Sequence, residues 1–236
     1  MKIIDEGFFL YSSRFGESSK ILYIFSKENG LVKGLTKITK KNSINFMNLD
    51  KVLFTWSSRD KNGLGYLKCE QKNSTFLDHY LFSIVKASAS ELCLRFLPLW
   101  EKNTDIYEDV LKLSSLNNRD SSFLIGRYLN WEINLLKHLG YGFNLEYCYV
   151  SGEKNNTHFI SPKTGNAVSY EVGKKLAHKL FKIPLCMKEG FKKNHYEDYL
   201  DAMKINLFFL KKILDNENLK FIYRDQITKF YNSSSN

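Results

Sequence analysis

The sequence predicts an α+β protein in which an N-terminal five-stranded OB-type β-barrel is followed by an all-helical domain with a small β-turn insertion. Three observations carry that expectation. Residues 1–75 hold five short runs rich in β-branched and aromatic residues, separated by polar turns. From about residue 79 the apolar residues recur at helical rather than strand spacing. Between about 141 and 168 the helical pattern breaks into glycines and a proline turn. The change of period divides the chain into an expected barrel domain, 1–78, and a helical domain, 79–236, with the insertion at about 141–168.

The barrel opens with a meander of three runs at residues 3–11, 18–26 and 31–38. Arg14-Phe15-Gly16 supplies the first reversal and Glu28-Asn29-Gly30 the second. In the third run Leu31, Lys33, Leu35 and Lys37 share one face, and Val32, Thr36 and Ile38 share the other. Two further runs, 50–56 and 64–69, flank a polar turn containing Gly63. Five strands in this span suit an OB-type barrel, and an SH3-like barrel fits the same pattern. Such barrels bind single-stranded nucleic acid through a basic groove and aromatic platforms. Phe8, Phe9, Tyr11, Tyr23, Phe25, Phe54, Trp56 and Tyr66 supply more aromatics than a groove needs, and alternation assigns most of them to the core.

The helical part begins with a stripe at Leu81, Val85, Leu92 and Phe96 that stops at Leu97-Pro98. A second helix is expected at 105–116. A third, capped by Ser121 or Ser122, runs to His138 or Leu139 before Gly140, with Leu124, Tyr128, Trp131 and Leu135 on its stripe. After the insertion, helices are expected at 169–181 and 195–214, and residues 220–231 form a final helix or strand.

The chain carries 35 basic and 25 acidic residues, a net charge of +10. Residues 1–75 alone hold 13 basic against 7 acidic, so the surplus is concentrated in the strand-rich third. That bias points to an anionic partner, nucleic acid before a membrane surface. The excess of Lys over Arg, with abundant Asn, also fits coding-sequence composition, and any single lysine can be an ordinary solvated side chain. The expected backbone track is Arg14, Lys33, Lys37, Lys40 and Lys41, together with Arg59 and Lys68. No recognition-helix or finger motif predicts sequence-specific reading.

Cys69, Cys93, Cys148 and Cys186 stand far apart without a C-x-x-C pair, as reduced thiols do. No apolar run reaches membrane-spanning length, and charge arrives at Lys2 before any signal-like stretch. A soluble cytoplasmic protein is expected. Gly63-Leu64-Gly65 lacks the rest of a phosphate loop, no metalloprotease or serine-hydrolase motif occurs, and the five histidines are scattered singly. The expectation is a binding protein with no catalytic residues, no cofactor and no metal. A barrel-plus-helix adaptor that binds only other proteins is the alternative.

Three segments carry a resemblance over nearly the full length. They are Asp5-Glu6-Gly7-Phe8-Phe9-Leu10 with Phe15-Gly16-Glu17 and Gly30-Leu31-Val32-Lys33-Gly34, then Trp131 to Gly142 followed by Cys148, then Ile160-Ser161-Pro162-Lys163-Thr164-Gly165. In this order they resemble the RecO family of bacterial DNA repair proteins. The resemblance implies an OB fold, a helical C-terminal domain and no enzymatic turnover. It further implies binding of single- and double-stranded DNA, annealing of complementary strands, and loading of RecA together with RecR and single-strand-binding protein, at the nucleoid. Many relatives have a four-cysteine zinc site in the insertion. Here Cys148 matches the first position, while Ser151, Ser169 and Val172 match the others, so the insertion reads as a degenerate zinc finger held by apolar packing of Phe143, Tyr147, Phe159 and Ile160. The tail of single-strand-binding protein, acidic with an apolar end, would dock at Arg127, Tyr128 and Trp131 on the third helix.

Overall fold

Alternating apolar residues and tight turns dictate the first five strands. A computed structural model of the 236-residue chain describes residues 1–38, 46–60, 63–72, 79–117, 120–154 and 156–234. Strands β1 (Lys2–Phe15), β2 (Ser19–Ser26), β3 (Gly30–Lys37), β4 (Lys51–Ser57) and β5 (Gly65–Gln71) close a barrel in the order β1-β2-β3-β5-β4. β1 runs antiparallel to both β2 and β4, and a short parallel pairing, Gly34↔Gly65 and Leu35↔Tyr66, joins β3 to β5. This connectivity is that of an OB-type barrel. β1 is longer than the sequence suggested, so Arg14 and Phe15 are strand residues paired to Lys20 and Ser19 rather than part of the turn.

The barrel interior is filled by Phe9, Leu22, Ile24, Val32, Val52, Phe54, Trp56 and Leu67. Trp56 is fully buried and donates its indole N–H to the Lys33 carbonyl at 3.0 Å. Closure depends on glycine at this point. A methyl group on Gly65 would lie 2.4 Å from the Trp56 ring, and one on Gly34 would lie 2.7 Å from Leu67 Cβ. The seam can therefore form only where both strands lack side chains.

A bulge between Phe9 and Tyr11 changes the phase of β1. Phe9 opposes Ile24 and points inward, but Tyr11 opposes Tyr23 and points outward. The extra residue, Leu10, is fully buried, and its carbonyl accepts the Asn48 amide N–H at 2.6 Å. α1 (Tyr80–Phe96) packs on β1, and α2 (Thr104–Ser114) places Tyr107 against Phe8 and Phe25, with ring centroids 5.0 and 5.6 Å apart. Asn103 caps α2 by accepting the Ile106 N–H. The chain forms two compact units, residues 1–116 with 221–224 and residues 117–220 with 225–236. The first two helices are thus gathered with the barrel.

In the second unit α3 (Ser121–His138) is capped by Asp120, whose carboxylate accepts the N–H groups of Ser122 and Phe123. The expected caps, Ser121 and Ser122, are the first helical residues instead. An aspartate one residue earlier reaches the same orphan donors and adds favourable charge at the helix N-terminus. α3 packs on α6 (Tyr199–Ile213), where fully buried Asn206 donates to Glu132 at 3.0 Å.

The insertion differs most from expectation. β6 (Thr157–Ile160), β7 (Ala167–Ser169) and β8 (Phe181–Lys182) form a sheet in the order β7-β6-β8. The helix expected at 169–181 is one α-turn, α4 (Tyr170–Gly173), followed by 3-10 turns over Lys174–Lys179. Only Gly173 is buried across these turns, so no apolar stripe exists to hold a longer helix. Beyond α5 (Leu185–Glu189), a 3-10 stretch over Lys193–Asp198 precedes α6, because His195 has non-helical torsions. The last segment is a helix, α7 (Ile222–Ser234).

The insertion core is Cys148, Phe159 and Val168, with Leu180 against them. Ile160 is also buried and Phe143 packs edge-on against Phe209, but Tyr147 is exposed and does not contribute as expected. Burial pushes the Cys148 thiol up, yet hydrogen-bonding groups of Ser151 and Ser169 outweigh it and bring it to about 6. The Ser151 N–H lies 3.5 Å from the sulfur. One thiol, two hydroxyls and a valine do not fit zinc, which takes about four nitrogen, sulfur or carboxylate ligands at a structural site. Among the described residues no group of three such side chains comes together.

Candidate nucleic-acid interface

Pairing of β1, β2 and β3 sets out an exposed face in three rows. The first is Tyr11↔Tyr23↔Lys33, the second Ser13↔Ile21↔Leu35 continuing to Tyr66 on β5, and the third Phe15↔Ser19↔Lys37. Tyr11, Phe15 and Tyr66 are 51%, 50% and 59% exposed, unusual for large rings on a barrel with a full core. The Tyr11 and Tyr23 rings lie side by side, centroids 6.3 Å apart. Lys68 follows Tyr66 by two residues and shares its outward phase. Apolar ring faces and ammonium groups therefore alternate over a single surface.

Arg14 faces Lys20 directly across β1 and β2 on the other pleat phase, at the end of the hairpin. Opposed like charges weaken strand pairing, so this pair works against local stability. Arg59 is exposed in the bend after β4. Among the described residues no carboxylate holds Arg14, Lys20, Lys33, Lys37, Arg59 or Lys68 in an ion pair. Lys40 and Lys41 lie outside the described residues. The structure thus brings Lys33, Lys37 and Lys68 onto one face with Tyr11, Tyr23, Phe15 and Tyr66, and leaves Arg14 at its rim. Lys20 escaped the sequence reading because it sits on an inward-phase position of β2. Its place beyond the filled core, opposite Arg14, leaves it partly exposed.

A second basic group sits at the β1–β4 seam and differs in kind. Glu6 is surrounded by Lys27, Lys51 and Lys72 at 3.6, 3.4 and 2.5 Å. The Lys72 hydrogen bond, opposed by burial and aided by the charge of Lys51, holds the Glu6 carboxyl below its usual range. Lys102 is likewise paired, to Glu28.

On α3, Arg127 is exposed and its guanidinium lies 5.2 Å from the Phe123 ring. Tyr128 and Trp131 stack on each other at 6.0 Å and are buried, at 1% and 3% exposure. α3 therefore presents the cation to solvent and keeps both rings in the core. Burial raises the thiols of Cys69, Cys93 and Cys186, so none is an activated nucleophile. Among the described residues no helix is long and apolar enough to cross a membrane.

A closed OB-type barrel with an aromatic and basic outer face, joined to a helical unit, is the class of protein defined here. Residues 1–74 match the family model described as recombination protein O N terminal, and residues 83–203 match recombination protein O C terminal. A DNA repair protein RecO of Wolbachia pipientis from Culex pipiens is 34% identical over 224 residues, spanning 91% of this chain and 92% of that one. The Ehrlichia chaffeensis DNA repair protein RecO is 34% identical over 97% of this chain and 98% of its own length. That of Rickettsia bellii is 29% identical over 91% and 90%. The chain belongs to the RecO family.

Proposed function

We propose that this protein is a non-catalytic DNA-binding factor of recombinational repair that holds single- and double-stranded DNA and anneals complementary strands. The observation that carries the reading is the outer barrel face, where Lys33, Lys37 and Lys68 have no carboxylate partner among the described residues and stand with exposed Tyr11 and Tyr66 and half-buried Tyr23. Ammonium groups neutralise phosphates and release counterions, so affinity falls as salt rises. Rings stack on unpaired bases without reading their identity. Together these lower the repulsion between two strands while leaving the base edges free to pair. Nothing in that process requires nucleotide hydrolysis.

Family membership supports a role in DNA repair, and to it we add, as part of the proposal, RecR and single-strand-binding protein as partners, RecA loading as the outcome and a cytoplasmic, nucleoid-associated location. For the acidic tail of single-strand-binding protein, Arg127 remains the proposed cation, with the apolar contact supplied by the exposed surface around it rather than by buried Tyr128 or Trp131. The deciding experiment is annealing of complementary strands coated with single-strand-binding protein. Acceleration without nucleotide supports the proposal. No acceleration, with no DNA retained at low salt, overturns it.

A further inference from the structure

The first compact unit contains a cleft of about 580 Å³ that the outer face does not use. It lies between the bulged part of β1, α1 and the start of α7, with Phe9, Phe46 and Leu94 among its apolar walls. Its size falls within the range of small-ligand sites, roughly 300–1,000 Å³. Two features distinguish it from an unfilled gap. Ser90 lines the cleft, is 1% exposed, and its buried hydroxyl has no hydrogen-bond partner among the described residues. Serine within a helix ordinarily bonds back to a carbonyl of the preceding turn, so this one is left with its full hydrogen-bonding capacity in a dry place. The second feature is Tyr11, which belongs both to the cleft lining and to the first row of the outer face.

Charge narrows the occupant. The Glu91 carboxylate at the cleft accepts the backbone N–H groups of Ile222 and Tyr223, each at 3.3 Å, and the Arg95 guanidinium at 3.0 Å. It caps the start of α7 and is matched by Arg95, so the wall carries no net charge. A phosphate or a carboxylate would meet Glu91 without gaining an unmatched cation. A neutral, flat group with apolar faces and a polar edge fits the apolar walls and the lone hydroxyl. We propose that the cleft takes one unstacked base of a single strand whose neighbours lie on the Tyr11–Tyr23 platform. The inference rests on the DNA-binding reading above and assigns to it a base-holding site. Strand tracking past Tyr11 brings a base to the opening, and the Ser90 hydroxyl bonds its edge.

The test uses the full chain and an oligothymidylate carrying a single 2-aminopurine, with acrylamide quenching as readout. In the wild-type complex the fluorophore should be shielded well beyond what an open stacking face provides. Ser90→Leu fills the cleft and should abolish that shielding and weaken binding about 5- to 10-fold. The slope of affinity against salt should be unchanged, because no phosphate contact is lost. Ser90→Ala, which removes only the hydroxyl, should give a smaller loss in the same direction and guards against misfolding of the larger substitution. If wild type binds the probe but leaves 2-aminopurine as quenchable as in free DNA, or if Ser90→Leu folds and shields it equally, the cleft is not a base site and the DNA-binding reading stands. If wild type does not bind the probe even at low salt, both are overturned.

Discussion

Two basic regions of one barrel carry similar numbers of lysines and differ in what those lysines face. At the β1–β4 seam Lys27, Lys51 and Lys72 converge on Glu6. On the β1–β2–β3 face Lys33 and Lys37 meet no carboxylate among the described residues, and rings stand where a counter-charge would be. A lysine paired with a carboxylate must give up that pair before it can serve a phosphate, whereas an unmatched one is already surrounded by exchangeable counterions. The lesson is that lysine count alone does not locate a polyanion track. Uncompensated charge next to exposed rings does.

The largest effect should come from exchanging the two regions as targets. Replacing Lys33, Lys37 and Lys68 with alanine should weaken DNA binding about 10- to 100-fold at low salt and flatten the dependence of log affinity on log salt by about 0.7–0.9 per lost phosphate contact. Replacing Lys27, Lys51 and Lys72 should cost less than about 3-fold, since an exposed ion pair is lost together with each charge. Titration of a labelled oligonucleotide at several salt concentrations measures both. Equal losses from the two triple variants would erase the distinction.

The aromatic rows give the next effect and separate stacking from charge. Tyr11→Ala with Tyr66→Ala should weaken binding of single strands by roughly 1–3 kcal/mol per ring that stacks on a base, leaving the salt slope as in wild type. Double-stranded DNA, whose bases are already stacked, should be affected much less. The comparison of the two substrates at one salt concentration is the measurement. A loss of equal size on both would mean that the tyrosines shape the face rather than stack on bases.

How far the sequence reveals this arrangement depends on the element. The barrel is readable because turn chemistry at Glu28-Asn29-Gly30 and alternation along β3 both operate at short range. The inward phase of Val32 and Thr36 follows directly. The outward phase of Tyr11 does not, because strict alternation places it with Phe9 in the core, and only the bulge at Leu10 reverses it. That one irregularity decides whether the face has a first aromatic row. The α3 stripe places Tyr128 and Trp131 in the core, which conflicts with a docking role for both rings. In the insertion the pattern failed altogether, since short extended pieces and 3-10 turns carry no period to detect. The cleft beside Ser90 is invisible to sequence for another reason. It is assembled from segments more than a hundred residues apart.

The smallest effect tests the seam itself. Glu6 lies below its usual range in the folded protein, so its pairing contributes stability that is fully present above the unfolded carboxyl value and is lost as pH falls through the lower folded one. Glu6→Gln should therefore destabilise the protein at neutral pH, and the difference from wild type should vanish in acid below the carboxylate range. The size should stay under about 1 kcal/mol, because Lys27 and Lys72 are about half exposed and solvent screens the pairs. The same substitution frees three lysines, so DNA affinity at low salt should rise slightly, about 2-fold, and the gain should disappear as salt screens it. Denaturant melts across pH and DNA titrations across salt read the two consequences independently. A gain above about 10-fold would mean that the seam, once unlocked, is the better track, and that Glu6 rather than the aromatic face decides where the phosphates run.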